Sequence, residues 1–364
     1  MSPSPLRVAF AGANASRGWA KDAHLAAVRS LPGLALTAVA ARDQSLANEA
    51  AMAFGVDRGF GDAREMARDP DVDIVAVTVK VPEHRAIVLA ALDAGKHVYC
   101  EWPLGRDRAE AREMAEAART AGVHVAIGLQ GVLAPAVREA AALVASGAIG
   151  APQSLRMVSP TAGWGAEAPP FYAYLQDKTN GATLSTIAGG HSIAVVEATV
   201  GPLAEISAIN SILNPHMRIT GSNEMVERTC PDHVLVIGRH ENGCISSLEV
   251  IGGEARSAFV FELRGDKGML ALSGHFPGGF QASSLSLTVN GEPMALPMAA
   301  TSLTGPPANV AELYAALERD IRCGTHTVPD FDRAVRLTEV LDGIDAASDE
   351  GRRVRFEQQM RMTA

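Results

Sequence analysis

Within the first 130 residues, short apolar runs alternate with amphipathic stretches of helical period, a pattern that few architectures other than a doubly wound parallel sheet can satisfy. Residues 6–11 form the first expected strand, followed by 34–40, 73–79, 97–100 and 124–128. Each is almost continuously apolar, as strands buried on both faces require. Helices fill the intervals. Between Asp107 and Ala121, the side chains Ala111, Met114, Ala115 and Ala118 share one stripe, while Arg108, Glu110, Arg112, Glu113, Glu116 and Arg119 lie off it. That stripe is core.

After Gly128 the texture changes. A helix is expected over 134–146, ending at Gly147, and then β-type segments separated by Gly, Pro and Asn at 153–158, 205–212, 233–239, 244–251, 258–264, 268–273 and 284–289. Several alternate apolar with polar residues, so one face of their sheet is expected to be exposed or paired. Helical patterns over 309–323 and 331–347 close the chain. The expected architecture is α/β: a Rossmann-type doubly wound parallel sheet over 1–128, then an α+β domain over 129–364 with a large, mostly antiparallel open sheet. With 364 residues, 47% of them hydrophobic, the chain is long enough for two cores. An uncovered apolar sheet face predicts a homodimer or homotetramer through the second domain.

Charge narrows the partners. Lys and Arg total 32 against 41 Asp and Glu, for a net charge of -9, and no basic run is long enough to follow a phosphate backbone. Nucleic acid is not an expected partner. Apolar stretches are interrupted well before bilayer-spanning length, and Met1-Ser2-Pro3-Ser4-Pro5 lacks the basic and apolar regions of a signal peptide, so no membrane partner and a cytoplasmic location are expected. Cys100, Cys230, Cys244 and Cys323 are scattered without a C-x-x-C pair, which suits reduced thiols. Cys230 and His233 stand three apart, but two ligands do not make a metal site, and none is expected.

The turn after the first strand reads Gly12-Ala13-Asn14-Ala15-Ser16-Arg17-Gly18-Trp19-Ala20. A glycine there lets a dinucleotide's pyrophosphate approach main-chain N–H groups at a helix start. Contacts are expected from Gly12, Asn14, Ser16, Arg17, Gly18 and Trp19. Against G-x-G-x-x-G, Asn14 and Arg17 replace two glycines and Gly18 arrives one residue late. A plain glycine-containing β-to-α turn remains the alternative. At the end of the second strand, Ala41 offers no acceptor to a ribose hydroxyl, whereas Arg42 suits a 2′-phosphate, favouring NADP over NAD. Asp43 stands near enough to take the acid's role if the turn is shifted, and Arg42 can also be a solvated surface residue.

These segments, with Ala94-Gly95-Lys96-His97-Val98-Tyr99-Cys100-Glu101-Trp102-Pro103-Leu104, Gly265-Asp266-Lys267-Gly268 and Pro329-Asp330-Phe331, resemble the Gfo/Idh/MocA oxidoreductase family over nearly the whole chain. Four pieces are similar to the branch that contains the fungal galactose-pathway repressor: Asn14 to Ala20 with His24, Val79-Lys80-Val81-Pro82-Glu83-His84, Leu129-Gln130-Gly131 and Thr229-Cys230-Pro231-Asp232-His233. The resemblance implies dinucleotide contacts from Val79, Lys80, Pro82, His84, Glu101, Trp102 and Gln130. It also implies a departure, because the family's Glu-Lys-Pro carries its catalytic lysine where this chain has Trp102. An indole has one N–H donor and no basic site, so Trp102 cannot accept a hydroxyl proton.

In the family's second catalytic segment, Ile187 stands at the aspartate position and His191 survives. A histidine's near-neutral pKa makes His191 the expected proton acceptor, with a hydrogen-bonded helix-start residue as the alternative. Lys80, at the carboxyl end of a strand, is the second catalytic candidate and the safer binding one. Trp102 offers a flat stacking face or is a core aromatic. Trp164 and Tyr172, in a Pro-rich aromatic cluster, complete the substrate candidates with Lys80, Trp102 and His191, although an interface would use them equally well. Two functions are expected to compete. One is an NAD(P)-dependent oxidoreductase acting on a carbohydrate-like hydroxyl or carbonyl compound, and the other is a dinucleotide-binding regulator without chemistry.

Overall fold

The computed structural model describes residues 4–254 and 256–357, which divide into two compact units: one of residues up to 133 with 299–336, the other of residues 134–298 with those from 337 onward. The first unit carries six parallel strands, β1 (Leu6–Ala11), β2 (Leu34–Ala40), β3 (Arg58–Phe60), β4 (Ile74–Val77), β5 (His97–Cys100) and β6 (Val125–Ile127), in the order β3-β2-β1-β4-β5-β6. This is the doubly wound order of dinucleotide-type sheets, with its switch point at β1 and β4. Helices α1 (Leu25–Ser30), α2 (Gln44–Ala53), α3 (Ala63–Ala67), α4 (His84–Asp93) and α5 (Arg108–Ala121) connect the strands. Asp43, Asp62 and Asp107 each accept a main-chain N–H at the start of α2, α3 and α5, respectively. Strand β3 is absent from the sequence expectation because three half-buried residues show no period.

The division differs from an unbroken second domain over 129–364. Helix α8 (Pro306–Cys323) belongs to the first unit because Val310, Leu313, Tyr314 and Leu317, spaced i, i+3, i+4 and i+7, are fully buried in the same core as Val8, Phe10, Ala27 and Ile74. Burial of such side chains stabilises by about 2 kcal/mol each. The helix ends at Gly324 in the left-handed region, and buried Asp320 accepts from Thr325 Oγ1, Thr327 N and Val328 N to fix the following turn.

The second unit begins with α6 (Pro135–Ala145) and contains α7 (Gly190–Val200) and most of α9 (Phe331–Glu350). Its nine-stranded sheet is built from β7 (Pro152–Thr161), β9 (Leu203–Ser211), β12 (His233–His240), β13 (Ile245–Gly252), β14 (Phe259–Gly265), β15 (Met269–Gly274), β16 (Ser286–Val289), β17 (Glu292–Pro293) and β18 (Val354–Arg355). The order is β17-β16-β15-β14-β7-β13-β12-β9-β18, antiparallel except for the parallel pair β7 and β13. Val234, Val236, Leu248, Val250, Leu155, Met157, Phe261 and Leu263 are buried on one face. Alternation leaves Ile209, Leu235, Ile237 and Ile245 exposed on the other.

A three-stranded sheet of β8 (Glu167–Ala168), β10 (His216–Ile219) and β11 (Met225–Glu227) packs Ala168, Met217 and Ile219 with Tyr172. Beside it, buried Arg228 donates to Asp232 Oδ2 at 2.6 Å, Gln176 Oε1 at 2.8 Å, Gly165 O at 2.6 Å and Asn214 O at 2.9 Å. Among the described residues, no helix is long and apolar enough to cross a membrane, and no group of three or more His, Cys, Asp or Glu could hold a metal ion.

Candidate functional site

A groove of about 910 Å³ lies at the carboxyl ends of β1, β2 and β4, and its lining includes Gly12, Asn14, Arg17, Arg42, Val79, Lys80 and Pro82. Seven expected contacts therefore come together. Gly12 has φ of 102°, and a Cβ built on it would lie 2.8 Å from Val79 Cγ1 and 3.0 Å from the Thr78 carbonyl. Glycine is required there by both conformation and space.

The rest of the turn is organised by Asn14, whose Oδ1 accepts from Ser16 N at 3.0 Å, Ser16 Oγ at 2.9 Å and Arg17 N at 3.1 Å. An asparagine turn thus occupies the place of a second glycine. The amides of Gly12 and Ala13 both donate to Ala40 O. Four main-chain donors of the turn are consequently paired inside the protein, so the expected grip through main-chain amides falls more heavily on side chains. Ser16 and Gly18 are exposed and Trp19 is half-buried against the first core, none of them among the lining residues.

Beyond β2, Arg42 is 85% exposed and 3.6 Å from Asp43. Asp43 itself is engaged as the cap of α2, accepting from Leu46 N at 2.9 Å. The sequence reading missed Asp62 and Arg64, which also line the groove; its signal was lost with β3, after which they follow. They hydrogen-bond to each other, which lowers the Asp62 carboxyl's pKa and raises that of the guanidinium. Lys80, just beyond β4, is exposed.

At the end of β5, Glu101 has a side chain 15% exposed and Trp102 is buried, followed by a cis peptide to Pro103. His84 is buried with Nδ1 3.0 Å from Pro103 O and Nε2 3.1 Å from Val79 O. Its nitrogens face protein carbonyls, to one of which the neutral ring donates, with Cys100 Sγ 3.4 Å from Nδ1, and it does not line the groove. Burial lowers its pKa. Gln130 is buried, with Oε1 unpaired among the described residues.

In the second unit, His191 is the second residue of α7, directly after a π-turn, Ser185–Gly189, that contains Ile187. The residue is 5% exposed, and burial lowers its pKa to about 3. The near-neutral value expected of a histidine is not found, because removing the imidazolium from water disfavours it. Trp164 is buried with φ of 60° and donates its indole N–H to Leu175 O at 3.1 Å. Tyr172 is half-buried against exposed Phe171, with ring centroids 4.7 Å apart. Cys230 Sγ contacts Leu175 O, whereas His233 pairs with Glu249, so the two residues take separate structural partners.

A parallel sheet of this order, with a groove at its switch point and a large mixed sheet in the second unit, defines a Rossmann-type two-domain protein. Residues 6–129 match the model of an oxidoreductase family with an NAD-binding Rossmann fold, and residues 135–274 match that of the Gal80p C-terminal domain. Over the first of these segments the chain is similar to the Gfo/Idh/MocA oxidoreductase family, and over the second to Gal80p-type C-terminal domains. It is 36% identical over 185 residues to the dehydrogenase aclE of Aspergillus oryzae, covering 50% of each chain. It is 29% identical to the galactose/lactose metabolism regulatory protein GAL80 of Kluyveromyces lactis, covering 75% of this chain and 65% of that protein. These matches span about half and about two thirds of the relatives' lengths. The fold is shared with a levoglucosan dehydrogenase solved with NADH and levoglucosan, at a TM-score of 0.83 and 22% identity over 98% of this chain and 100% of that one.

Proposed function

We propose that the chain binds a nicotinamide dinucleotide, NADP in preference to NAD, and transfers a hydride to or from a sugar, cyclitol or related hydroxyl or carbonyl compound. The observation that carries this reading is the groove of about 910 Å³ at the sheet's switch point, where the first strand turns at Gly12 with a positive φ and packs directly against Thr78 and Val79 of the next strand's end. Arg17 and Lys80 supply positive charge to a pyrophosphate, and Arg42 to a 2′-phosphate. Asp43 is occupied by α2, which supports NADP. When bound, the nicotinamide supplies the hydride acceptor or donor.

The chain's own residues have to manage the proton. His191 is neutral above about pH 3 and so presents an acceptor lone pair at physiological pH, although burial makes it a weak base. Lys80 orients a substrate hydroxyl and is the second proton-handling group. In the first unit, Trp102 contributes apolar surface and Glu101 and Gln130 contribute polar contacts, whereas Trp164 and Tyr172 are the second unit's own candidates for substrate contact. The test follows reduced-nicotinamide absorbance with NADP or NADPH and a panel of sugars, inositols, lactones and keto derivatives. Sustained turnover that falls in Lys80→Met and His191→Ala supports the reading. Turnover intact in both variants removes those assignments.

A second reading is a dinucleotide-binding regulator without chemistry. Trp102 at the lysine position favours it, as does the Gal80p-type match over 135–274. Tight cofactor binding without turnover, together with capture of a protein partner, is its expected result. In either case we propose a cytoplasmic homo-oligomer paired through the exposed face of the nine-stranded sheet.

A further inference from the structure

In the first unit, His24 is fully buried at the end of a π-turn, Ala20–His24. Its Nε2 lies 2.9 Å from Glu101 Oε1 and its Nδ1 lies 2.8 Å from the Tyr314 hydroxyl on α8. Phe10, Tyr99 and Tyr314 surround the imidazole edge-on, with centroids 5.8, 5.0 and 5.5 Å away. Gly128 makes room for the carboxylate, since a Cβ there would come 2.9 Å from Glu101 Oε1. Single π-turns recur at functional sites.

The proton positions follow from donor and acceptor inventory. A carboxylate only accepts, so the His24 nitrogen facing Glu101 carries a hydrogen. In a neutral imidazole the other nitrogen is then an acceptor, and Tyr314 donates to it. Burial raises the Tyr314 phenol well above its ordinary range, so that donor proton is retained.

We propose that His24 and Tyr314 are positioning residues that hold the Glu101 carboxylate at the carboxyl edge of the parallel sheet, with the Tyr314 hydroxyl fixing His24 as its Nε2–H tautomer. The arrangement presets an acceptor one residue before the position where the family's lysine is replaced. It rests on the reading that the groove of this unit holds a dinucleotide, and further that this ligand extends past the groove's lining residues to Glu101, whose preset carboxylate raises its affinity.

Two measurements on the full chain test it. Long-range ¹H–¹⁵N NMR of the ligand-free protein is expected to show His24 as a single Nε2–H tautomer, and Tyr314→Phe, which deletes only the hydroxyl, is expected to move both ring-nitrogen shifts toward a tautomer mixture. Calorimetry is expected to show NADP binding about fivefold weaker in Tyr314→Phe, the loss typical of one hydrogen bond. A wild-type Nδ1–H tautomer overturns the proposal, even if the variant fails to fold. So do unchanged nitrogen shifts and unchanged affinity in a folded variant. Absence of NADP binding to the wild type overturns the groove reading first and this proposal with it, an outcome distinct from a wrong tautomer in a protein that binds.

Discussion

Gly12 combines a backbone conformation that L side chains rarely adopt with a Cβ position already occupied by Val79 and Thr78. Gly12→Ala is therefore expected to destabilise the protein by about 2 kcal/mol and to abolish measurable NADP binding, as read by thermal unfolding and calorimetry. His191 makes a pH prediction. Its folded pKa, about 3, lies below the ordinary value of 6.5, so the unfolded chain takes up the proton first as pH falls. Its contribution to stability is fully present above pH 6.5 and is lost as pH falls from there toward 3. Denaturant titrations of His191→Gln are expected to show a stability-against-pH slope shallower than wild type by about one proton between pH 6 and 4. Sequence alone identified His191 as a titratable survivor but not its burial, which depends on how α7 packs. His24 was visible only as part of a motif, because its partner Tyr314 stands 290 positions away and no local pattern connects them.

At the scale of elements, strands buried on both faces were the most legible, since an apolar run needs no partner to announce itself. Strand β5 falls on 97–100 as expected, and β1 on 6–11. The three-residue β3 and the small sheet of β8, β10 and β11 carry too few residues to show a period, so the groove residues after β3 went unnoticed. The segment after β2 yields two separable predictions. Asp43→Ala removes the cap of α2 and is expected to cost about 1 kcal/mol in stability while leaving NADP affinity intact. Arg42→Ala is expected to leave stability unchanged and to reduce the preference for NADP over NAD about tenfold, as one charge-assisted contact is lost. An Asp43→Ala variant that loses NADP binding would instead assign that carboxylate to the ribose.

For the whole molecule, the change of texture after Gly128 follows the last strand of the parallel sheet, but nothing local in the sequence shows that α8 joins the first unit's core. Its apolar stripe announces a buried face without naming the core that receives it. The exposed row Ile209, Leu235 and Ile237 gives the molecular-scale prediction, because an apolar sheet face of this kind is stabilised by a partner. Light scattering is expected to show a multiple of the 38.0 kDa chain mass for wild type and the monomer for Ile237→Lys. The central claim is the dinucleotide groove. Titrating the purified protein with NADP and with NAD in a calorimeter tests it most directly: saturable binding of NADP, tighter than NAD and absent in Gly12→Ala, is the predicted result, and no heat of binding from either nucleotide would contradict the account.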